Sequence, residues 1–375
     1  MPTRLAILWP QGSGYLNAAI NTACDHGAAV LLSCFTPHPA SPYQALARGR
    51  RESVRLLEWT RGQIDDASLL DEVSRFAPDV MIVSGWNFRS YLKICTAMRG
   101  RTVRVLAMDN PWEARLKQIG GCLLSRFLIA PYFDRAFVPG ERQYQFARRL
   151  GFDDGEIIDG LFTCDKRFYE TGAARDPLDG EGFVFVGRLS PEKGLATLMA
   201  AYQAYRANQE APWNLHVYGA GSLGEAERLP GVVRHGFVQP EDLPAALARH
   251  RVLLMPSDRD PWCVAIQEGA ALALPIVCTT RCGASVHLVK NGFNGYKFPQ
   301  GSVDELLAAM TAVATQQDEA LLRMSRGSLS LAMQFHPSLW FDNLMRSLAP
   351  TRGRGVRPAA PPGAEQGAWK DAPAS

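Results

Sequence analysis

The sequence contains no apolar run that approaches the roughly 20 residues needed for a membrane-spanning helix. It also lacks the features of a secretory signal peptide, since the strand-like run Leu5–Trp9 directly follows Met1–Arg4 and no cleavage site comes after it. These two absences predict a protein that works in the cytoplasm without a transmembrane anchor.

Paired metal-binding cysteines are also scarce. The eight cysteines are scattered and most lie in apolar runs, which predicts buried free thiols in a reducing compartment rather than disulfides. Cys278 and Cys282 form a C-x3-C motif, but no second pair stands at a spacing typical of zinc sites. The sequence therefore predicts no metal site.

Length and charge indicate the organisation of the chain. With 375 residues, 47% hydrophobic and 21% charged, it exceeds one ordinary core and suits two globular domains. Residues 1–150 carry 19 Lys and Arg against 12 Asp and Glu, a net +7, which leaves −4 for the remainder because the total is +3. This asymmetry predicts an anionic partner such as a lipid headgroup or a phosphorylated substrate, and is too diffuse for bulk nucleic-acid binding. A solvated basic face explains it equally well.

Short apolar runs alternate with helix-length segments through the first half, which is typical of a parallel sheet covered on both faces. This βαβ succession predicts a Rossmann-like, doubly wound α/β domain over residues 1–158. Residues 159–182 are rich in Asp, Gly and Pro and are predicted to be a linker. The predicted strands of the first domain are Leu5–Trp9, Ala28–Phe35, Asp79–Ser84, Val103–Met108 and Arg135–Val138.

A second α/β series over residues 183–334 predicts a second Rossmann-like domain. Two such domains would leave a cleft between facing strand ends, where open parallel sheets bind ligands. Residues 350–375 are mostly Pro, Gly, Ala and Arg and are predicted to be a disordered tail. The predicted strands of the second domain are Phe183–Val186, Leu215–Tyr218, Val232–Phe237, Val252–Met255, Ile276–Cys278 and Tyr296–Phe298.

Basic and glycine-rich turns follow two of these strands. Gly187 allows a close turn, and Arg188 and Lys193, five residues apart around it, are two cations that suit a diphosphate. Gly219 ends the next strand and allows close approach of the backbone to a ligand. Taken alone, each motif is better explained by an ordinary turn.

Two carboxylates flank the start of a predicted helix at Val264. Asp260 lies on the preceding loop, and Glu268 lies eight residues later in an otherwise apolar helical run. Carboxylates accept hydrogen bonds from sugar hydroxyls, and a helix N-terminus offers unpaired N–H groups to an anion. The apolar surroundings of Glu268 favour a binding site over two solvated acids.

The order of these landmarks resembles the retaining GT-B glycosyltransferases of family 4, which transfer sugar from a nucleotide-sugar donor. The resemblance covers almost all of residues 183–314: G-R-x4-K-G after a strand, then Y-G-x-G, H-G-x-V, P-S-x-x-D-P, the acidic pair, P-I-V and N-G-x-x-G-Y. It implies a GT-B fold. Asp260 stands where the family usually has Glu, and Cys263 where a glycine is usual.

The resemblance implies a role for each matched residue. Arg188 and Lys193 would hold the donor diphosphate as catalytic cations, Asp260 would bind the donor sugar, and Glu268 would bind the ribose hydroxyls. The other donor-binding residues it implies are Trp262 and Cys263 at the sugar, Val238 and Gln239 at the base, and Gly187 and Gly219.

The first half matches the family less closely. Gly12 and Gly14 fit the glycine-rich loop that approaches the donor phosphates, although an ordinary turn explains them as well. Asp109 stands where the family often carries a His-Asp pair, and the histidine is absent. Asp109 and Trp86 are predicted on the acceptor side, and an aromatic core patch is an equal explanation for Trp86. Residues 335–349 would return to the first domain as a helix.

The resemblance implies a hexosyltransferase that retains the anomeric configuration and uses a UDP- or GDP-sugar. No cofactor or metal is predicted, since the resemblance implies that Arg188 and Lys193 hold the diphosphate without a divalent ion. The acceptor would be a glycan, a lipid-linked molecule or a small molecule in polysaccharide or glycoconjugate biosynthesis. A basic cluster that would face an anionic membrane consists of Arg48, Arg50, Arg51 and Arg55.

Three alternatives stay open at this point. The first is a catalytically weak nucleotide-sugar-binding scaffold, and the second is an epimerase or phosphorylase on the same fold. A dinucleotide dehydrogenase is the third, but its fingerprint needs a third glycine where this chain has Asn17.

Overall fold

A computed structural model describes residues 2–36, 51–60, 63–221, 229–346 and 348. This part of the chain forms two compact units, each built on its own parallel sheet. The first unit ends at Phe162 and resumes at Ser338, and the second contains Thr163–Pro337. Arg48, Arg50 and the tail predicted over 350–375 lie outside the described residues.

The sheet of the first unit has seven strands in the order β3-β2-β1-β4-β5-β6-β7, all parallel. Leu5 in β1 pairs with Val30 on one side and Val80 on the other, so the strand order reverses direction about β1, as in a doubly wound fold. The strands are β1 Arg4–Leu8, β2 Ala29–Phe35, β3 Val54–Trp59, β4 Val80–Ser84, β5 Val103–Ala107, β6 Arg135–Val138 and β7 Ile157–Asp159.

Helices connect these strands and cover the sheet. Ser13 caps the first helix, because its hydroxyl accepts a hydrogen bond from the Leu16 amide at 3.2 Å. After Pro337 the chain re-enters the unit, where the Trp340 indole N–H donates to the Leu161 carbonyl at 2.9 Å. The helices are α1 Gly14–Asp25, α2 Asp66–Phe76, α3 Arg89–Ala97, α4 Leu116–Leu128 and α5 Glu141–Arg149, with α13 Pro337–Arg346 after the second unit.

The second unit has a six-stranded parallel sheet in the order β10-β9-β8-β11-β12-β13. Its strands are β8 Phe183–Val186, β9 Leu215–Tyr218, β10 Val232–Gly236, β11 Val252–Met255, β12 Ile276–Thr279 and β13 Gly295–Phe298. Its helices are α6 Lys166–Ala174, α7 Leu195–Ala207, α8 Leu243–Leu247, α9 Val264–Ala271, α10 Ser285–Leu288, α11 Val303–Ala314 and α12 Asp318–Ala332.

The main difference from the sequence prediction lies in residues 159–182, which were expected to be a linker. Helix α6 occupies their centre, capped by Asp165, whose carboxylate accepts from the Arg167 amide at 2.9 Å. Gly172 lets α6 pack tightly on α9, since a Cβ there would lie 2.1 Å from the Ala271 carbonyl oxygen. The Asp-, Gly- and Pro-rich flanks hide this short helix in the sequence.

Two further predictions from composition can be compared with the structure. All eight cysteines are free, and six of them are buried, which confirms the prediction of buried thiols. No helix in the described part of the chain combines the length and the apolar character needed to cross a bilayer.

Candidate donor site

The carboxyl ends of β8 and β9 are held together by glycines. The Gly187 N–H donates to the Tyr218 carbonyl at 3.0 Å, and the Gly219 N–H donates to the Gly236 carbonyl at 2.7 Å. A Cβ at Gly219 would lie 1.8 Å from the Gly187 carbonyl oxygen. The two predicted turns therefore form one packed edge that admits only glycine at position 219.

Lys193 and Asp260, which the sequence assigned to different parts of the donor, form an ion pair. Their Nζ and Oδ2 atoms lie 2.6 Å apart, with side-chain exposures of 16% and 11%. Burial alone would lower the pKa of Lys193, but the Asp260 carboxylate more than offsets this and the pKa is raised. The ammonium is therefore charged at neutral pH.

Two loops position this pair. Gly194 ends the turn of Lys193 at a φ of 68°, and a Cβ on it would lie 2.1 Å from the Pro256 carbonyl oxygen. The Asp258 amide donates to the Glu192 carbonyl at 2.9 Å, which joins the loop after β8 to the loop after β11. Backbone contacts thus bring together side chains that lie 67 residues apart in sequence.

Arg188 projects differently. Its side chain is 57% exposed, and its guanidinium lies 3.9 Å from the Glu192 carboxylate. At that distance in solvent the pair is weak. The Arg188 guanidinium therefore stays largely open to solvent at this edge.

The loop between Asp260 and α9 is fixed by its neighbours. The Gly283 amide donates to the Asp260 carbonyl at 3.0 Å, and the Ala284 amide donates to the Trp262 carbonyl at 2.6 Å. The Trp262 ring is buried, and its indole N–H donates to the Gln267 side chain at 3.0 Å. Trp262 therefore acts as an anchor through its side chain.

Cys263 adopts a conformation that favours glycine. It precedes α9 with φ 72° and ψ 74°, in the left-handed region. The resemblance places a glycine at this position, so the backbone keeps the shape that a glycine would have while carrying a buried thiol. Burial raises the pKa of this thiol, and the nearby Cys282 and Asp260 raise it further.

Glu268 lies in α9 among apolar sequence neighbours and is half-buried. Burial raises the pKa of its carboxyl group to about 8. At neutral pH the group is mostly protonated, in contrast with the ionised Lys193. A bound diol that donates hydrogen bonds would favour the carboxylate form.

Val238 and Gln239 lie just after β10. The Gln239 carbonyl accepts from the Asp242 amide at 3.0 Å and from the Leu243 amide at 3.2 Å, which starts α8. This turn follows the strand next to β9 and its Gly219. Both residues are half-buried.

Residues 180–316 match the family model described as Glycosyl transferases group 1. This segment is similar to that family. It contains Arg188, Lys193, Asp260 and Glu268, together with β8 to β13. No curated protein matches the sequence.

Solved structures extend the likeness to the whole fold. Anabaena HepE in complex with UDP-glucose has a TM-score of 0.69 and 15% identity over 92% of this chain and 99% of its own. A glycosyltransferase from Rickettsia africae has a TM-score of 0.70 and 8% identity over 93% and 98%. Sucrose-phosphate synthase from Thermosynechococcus elongatus has a TM-score of 0.67 and 13% identity over 92% and 99%. These likenesses show that the chain has a GT-B fold with two Rossmann-like domains.

Outside residues 180–316, the residues predicted in the first unit lie at the carboxyl ends of its strands. Gly12 precedes the Ser13 cap of α1, and Gly14 is the first residue of that helix. Trp86 follows β4 and packs against the Phe146 ring with centroids 6.5 Å apart. The Asp109 carbonyl, after β5, accepts from the Gln143 side chain at 2.9 Å. Trp86 thus has the aromatic packing that the sequence left as an equal explanation.

Sequence reasoning missed one cluster within residues 180–316. His216, His235 and His250 meet on one face of its sheet, with His216 and His250 centroids 4.4 Å apart. They lie on β9, on β10 and just before β11. The only signal in the sequence is that three of its seven histidines fall within 35 residues.

Proposed function

We propose that this protein is a retaining hexosyltransferase that moves a sugar from a UDP- or GDP-sugar to a glycan, lipid-linked or small-molecule acceptor. The observation that carries the proposal is the buried Lys193–Asp260 pair at the carboxyl end of the second sheet. Among the described residues, Asp260 is the hydrogen-bond partner of the Lys193 ammonium. Two N–H donors of this fixed cation are therefore left for a ligand.

The proposed chemistry follows from where charge develops. As the glycosidic C–O bond of the donor breaks, negative charge grows on the diphosphate and positive charge on the sugar. Lys193 and Arg188 stabilise the diphosphate, and the Asp260 carboxylate stays close to the sugar. The acceptor oxygen attacks the same face, and the leaving phosphate takes its proton.

The donor class has separate support. The likeness to a group 1 domain and to HepE, which was solved with UDP-glucose, favours a nucleotide sugar. Glu268 would bind the ribose diol, and the turn of Val238 and Gln239 would lie beside the base. With two cations from the chain itself, the proposal requires no divalent metal for transfer, so a chelator should leave the transfer rate unchanged.

A donor screen tests the proposal. Incubation with UDP- and GDP-sugars should release free nucleotide slowly without an acceptor, and Lys193→Met should abolish that release. Lys117→Met, an exposed lysine in α4, is the matched control and should behave as wild type. A thermal shift with a nucleotide sugar but no released nucleotide would instead indicate a binding protein.

The proposal also includes contact of the first unit with an anionic membrane. Of the predicted basic cluster, Arg51 pairs with Asp25 and Arg55 pairs with Glu72, which partly neutralises both. Helix α4 offers a better surface, because its large apolar residues face solvent and Lys117 lies among them. These residues and their exposures are Leu116 87%, Ile119 42%, Leu123 76%, Leu124 54% and Phe127 57%.

An apolar helix face with cations beside it fits the headgroup region of an anionic bilayer. We expect the protein to sediment with anionic vesicles at low salt. The double variant Leu116→Glu/Leu123→Glu should lose sedimentation, whereas Met333→Glu, an exposed apolar residue of the second unit, should not. Equal binding to neutral and anionic vesicles, or loss in both variants, would contradict membrane contact through α4.

A further inference from the structure

In the second unit, Glu181, His216 and His250 lie toward the amino ends of the strands, whereas the candidate donor site lies at the carboxyl ends. Glu181 and His250 directly precede β8 and β11, whose other ends lead to Gly187 and to the loop of Asp260. His216 is the second residue of β9. Because β9, β8 and β11 are adjacent, these three side chains converge at the amino ends of neighbouring strands.

Hydrogen bonding fixes which nitrogen of His250 carries the proton. Its Nδ1 lies 3.0 Å from the Glu181 carbonyl oxygen, which can only accept, so Nδ1 donates. With the proton on Nδ1, the lone pair of the imidazole lies on Nε2. That lone pair now accepts from the Tyr218 hydroxyl at 3.0 Å.

His216 presents a second nitrogen without a partner. Its Nδ1 lies 3.0 Å from Nε2 of His235, while its own Nε2 is buried and has no hydrogen bond to the described residues. The Glu181 carboxylate lies 3.7 Å from that Nε2. A buried nitrogen with no hydrogen-bond partner is costly, which makes it a candidate ligand.

We propose that Glu181, His216 and His250 bind a divalent transition metal, with Zn²⁺ as the best match. One ligand atom from each of them lies within 4.8 Å of the others. Two imidazoles and one carboxylate are a ligand set that Zn²⁺ accepts, with further positions open to water. The Nδ1 bond of His250 to a carbonyl is the outer contact that orients metal-binding histidines.

Access and assembly are consistent with this site. The Glu181 side chain is 69% exposed, so it can move toward an ion that enters from solvent. The Tyr218 hydroxyl would release Nε2 of His250 when the ion binds. The metal would link three adjacent strands and stabilise the second unit, and this role does not depend on the proposed transfer reaction.

Titration of the untagged, EDTA-treated full chain with ZnCl₂ or CoCl₂ tests the site. We expect one ion per chain, a higher Tm with Zn²⁺, and visible absorption bands with Co²⁺ that indicate four or five nitrogen and oxygen ligands. Glu181→Gln should weaken binding by about 100-fold or more, since even outer contacts of a metal site change affinity by about 10- to 100-fold.

His216→Gln should also remove binding, and His26→Gln, an exposed histidine of the first unit, should retain it. Glu181 is on the surface, so its variant tests the site even if His216→Gln fails to fold. Absence of binding by the wild type, or binding that survives Glu181→Gln unchanged, would overturn the proposal. Neither result bears on sugar transfer, which the donor screen measures separately.

Discussion

An ion pair with a largely buried cation can be compared in each unit, and the two pairs differ in how completely the cation's donors are satisfied. In the first unit, Arg104 is 2% exposed and makes two bonds to the Asp134 carboxylate, at 2.8 and 3.0 Å. Its remaining Nη1 donates to the Cys95 and Pro131 carbonyls, both at 3.3 Å. Lys193 in the second unit makes one such bond, to Asp260.

This difference separates a structural charge from one that can act on a ligand. Arg104 uses four of its five N–H donors inside the protein, where it joins β5, α3 and the turn before β6. Lys193 keeps a full positive charge in a mostly buried place with donors to spare, and such preorganised charge is what stabilises a developing anion. Mutation of Arg104 should therefore mainly affect stability, whereas mutation of Lys193 should mainly affect catalysis.

The largest expected effect is on stability, from Arg104→Met. It removes the charge that compensates Asp134 and leaves two carbonyls without donors, so the free energy of unfolding should fall by about 3–5 kcal/mol. Urea denaturation measures this. Arg101→Met, on the exposed turn just before β5, should change stability by less than about 0.5 kcal/mol.

Lys193→Met should act mainly on catalysis. Loss of a cation at the developing diphosphate charge should lower kcat by about 10²- to 10³-fold. Some stability is lost as well, because Asp260 remains buried without its partner. The double variant Lys193→Met/Asp260→Asn should recover that stability and stay inactive. If the double variant recovered activity, the pair would be structural like Arg104–Asp134.

The sequence predicted the elements of both units better than it predicted their pairings. Buried parallel strands such as Phe183–Val186 and Val252–Met255 are continuous apolar runs, and both were predicted with their observed bounds. Strand β3 was missed because it is a half-exposed edge strand whose Arg55 and Glu58 interrupt the apolar run. Strand β7 has only three residues.

The side-chain contacts of the site needed information that a single sequence does not contain. The landmark motifs placed Arg188, Lys193, Asp260 and Glu268 in one domain, which the family match supports. The contact between Lys193 and Asp260, however, depends on the adjacency of β8 and β11. The histidine cluster likewise depends on the strand order β10-β9-β8-β11.

Glu268 extends the comparison to a titratable group with no ion-pair partner among the described residues. Its folded pKa of about 8 exceeds the ordinary 4.5, so the folded state binds the proton more tightly than the unfolded chain. Its contribution to stability is therefore complete at low pH and is lost as the pH rises from about 4.5 to 8. Glu268→Gln removes this loss, and its Tm at pH 8.5 should exceed that of the wild type by about 2–6 °C.

At pH 4.5 the Tm values of Glu268→Gln and wild type should agree, and scanning calorimetry across the range measures both. The variant should also bind a nucleotide sugar less tightly at pH 8.5, because an amide is a weaker acceptor for a diol than a carboxylate. A Tm difference that does not change with pH would show that the Glu268 carboxyl group is ionised in the folded protein.

The smallest effects compare two left-handed residues, one in each unit. Ala77 ends α2 at a φ of 48°, and Cys263 begins α9 at a φ of 72°. Ala77→Gly should raise the free energy of unfolding by roughly 0.5–1 kcal/mol, since glycine fits this helix end without strain.

Cys263→Gly and Cys263→Ala both lose the buried sulfur, so the difference between their stabilities isolates the effect of the backbone conformation. Cys263→Gly should be the more stable by about 1 kcal/mol in chemical denaturation, because Ala keeps the Cβ that this conformation disfavours. If Cys263→Ala were instead more stable than Cys263→Gly while Ala77→Gly still gained stability, the donor loop would relax to another conformation once the thiol is removed.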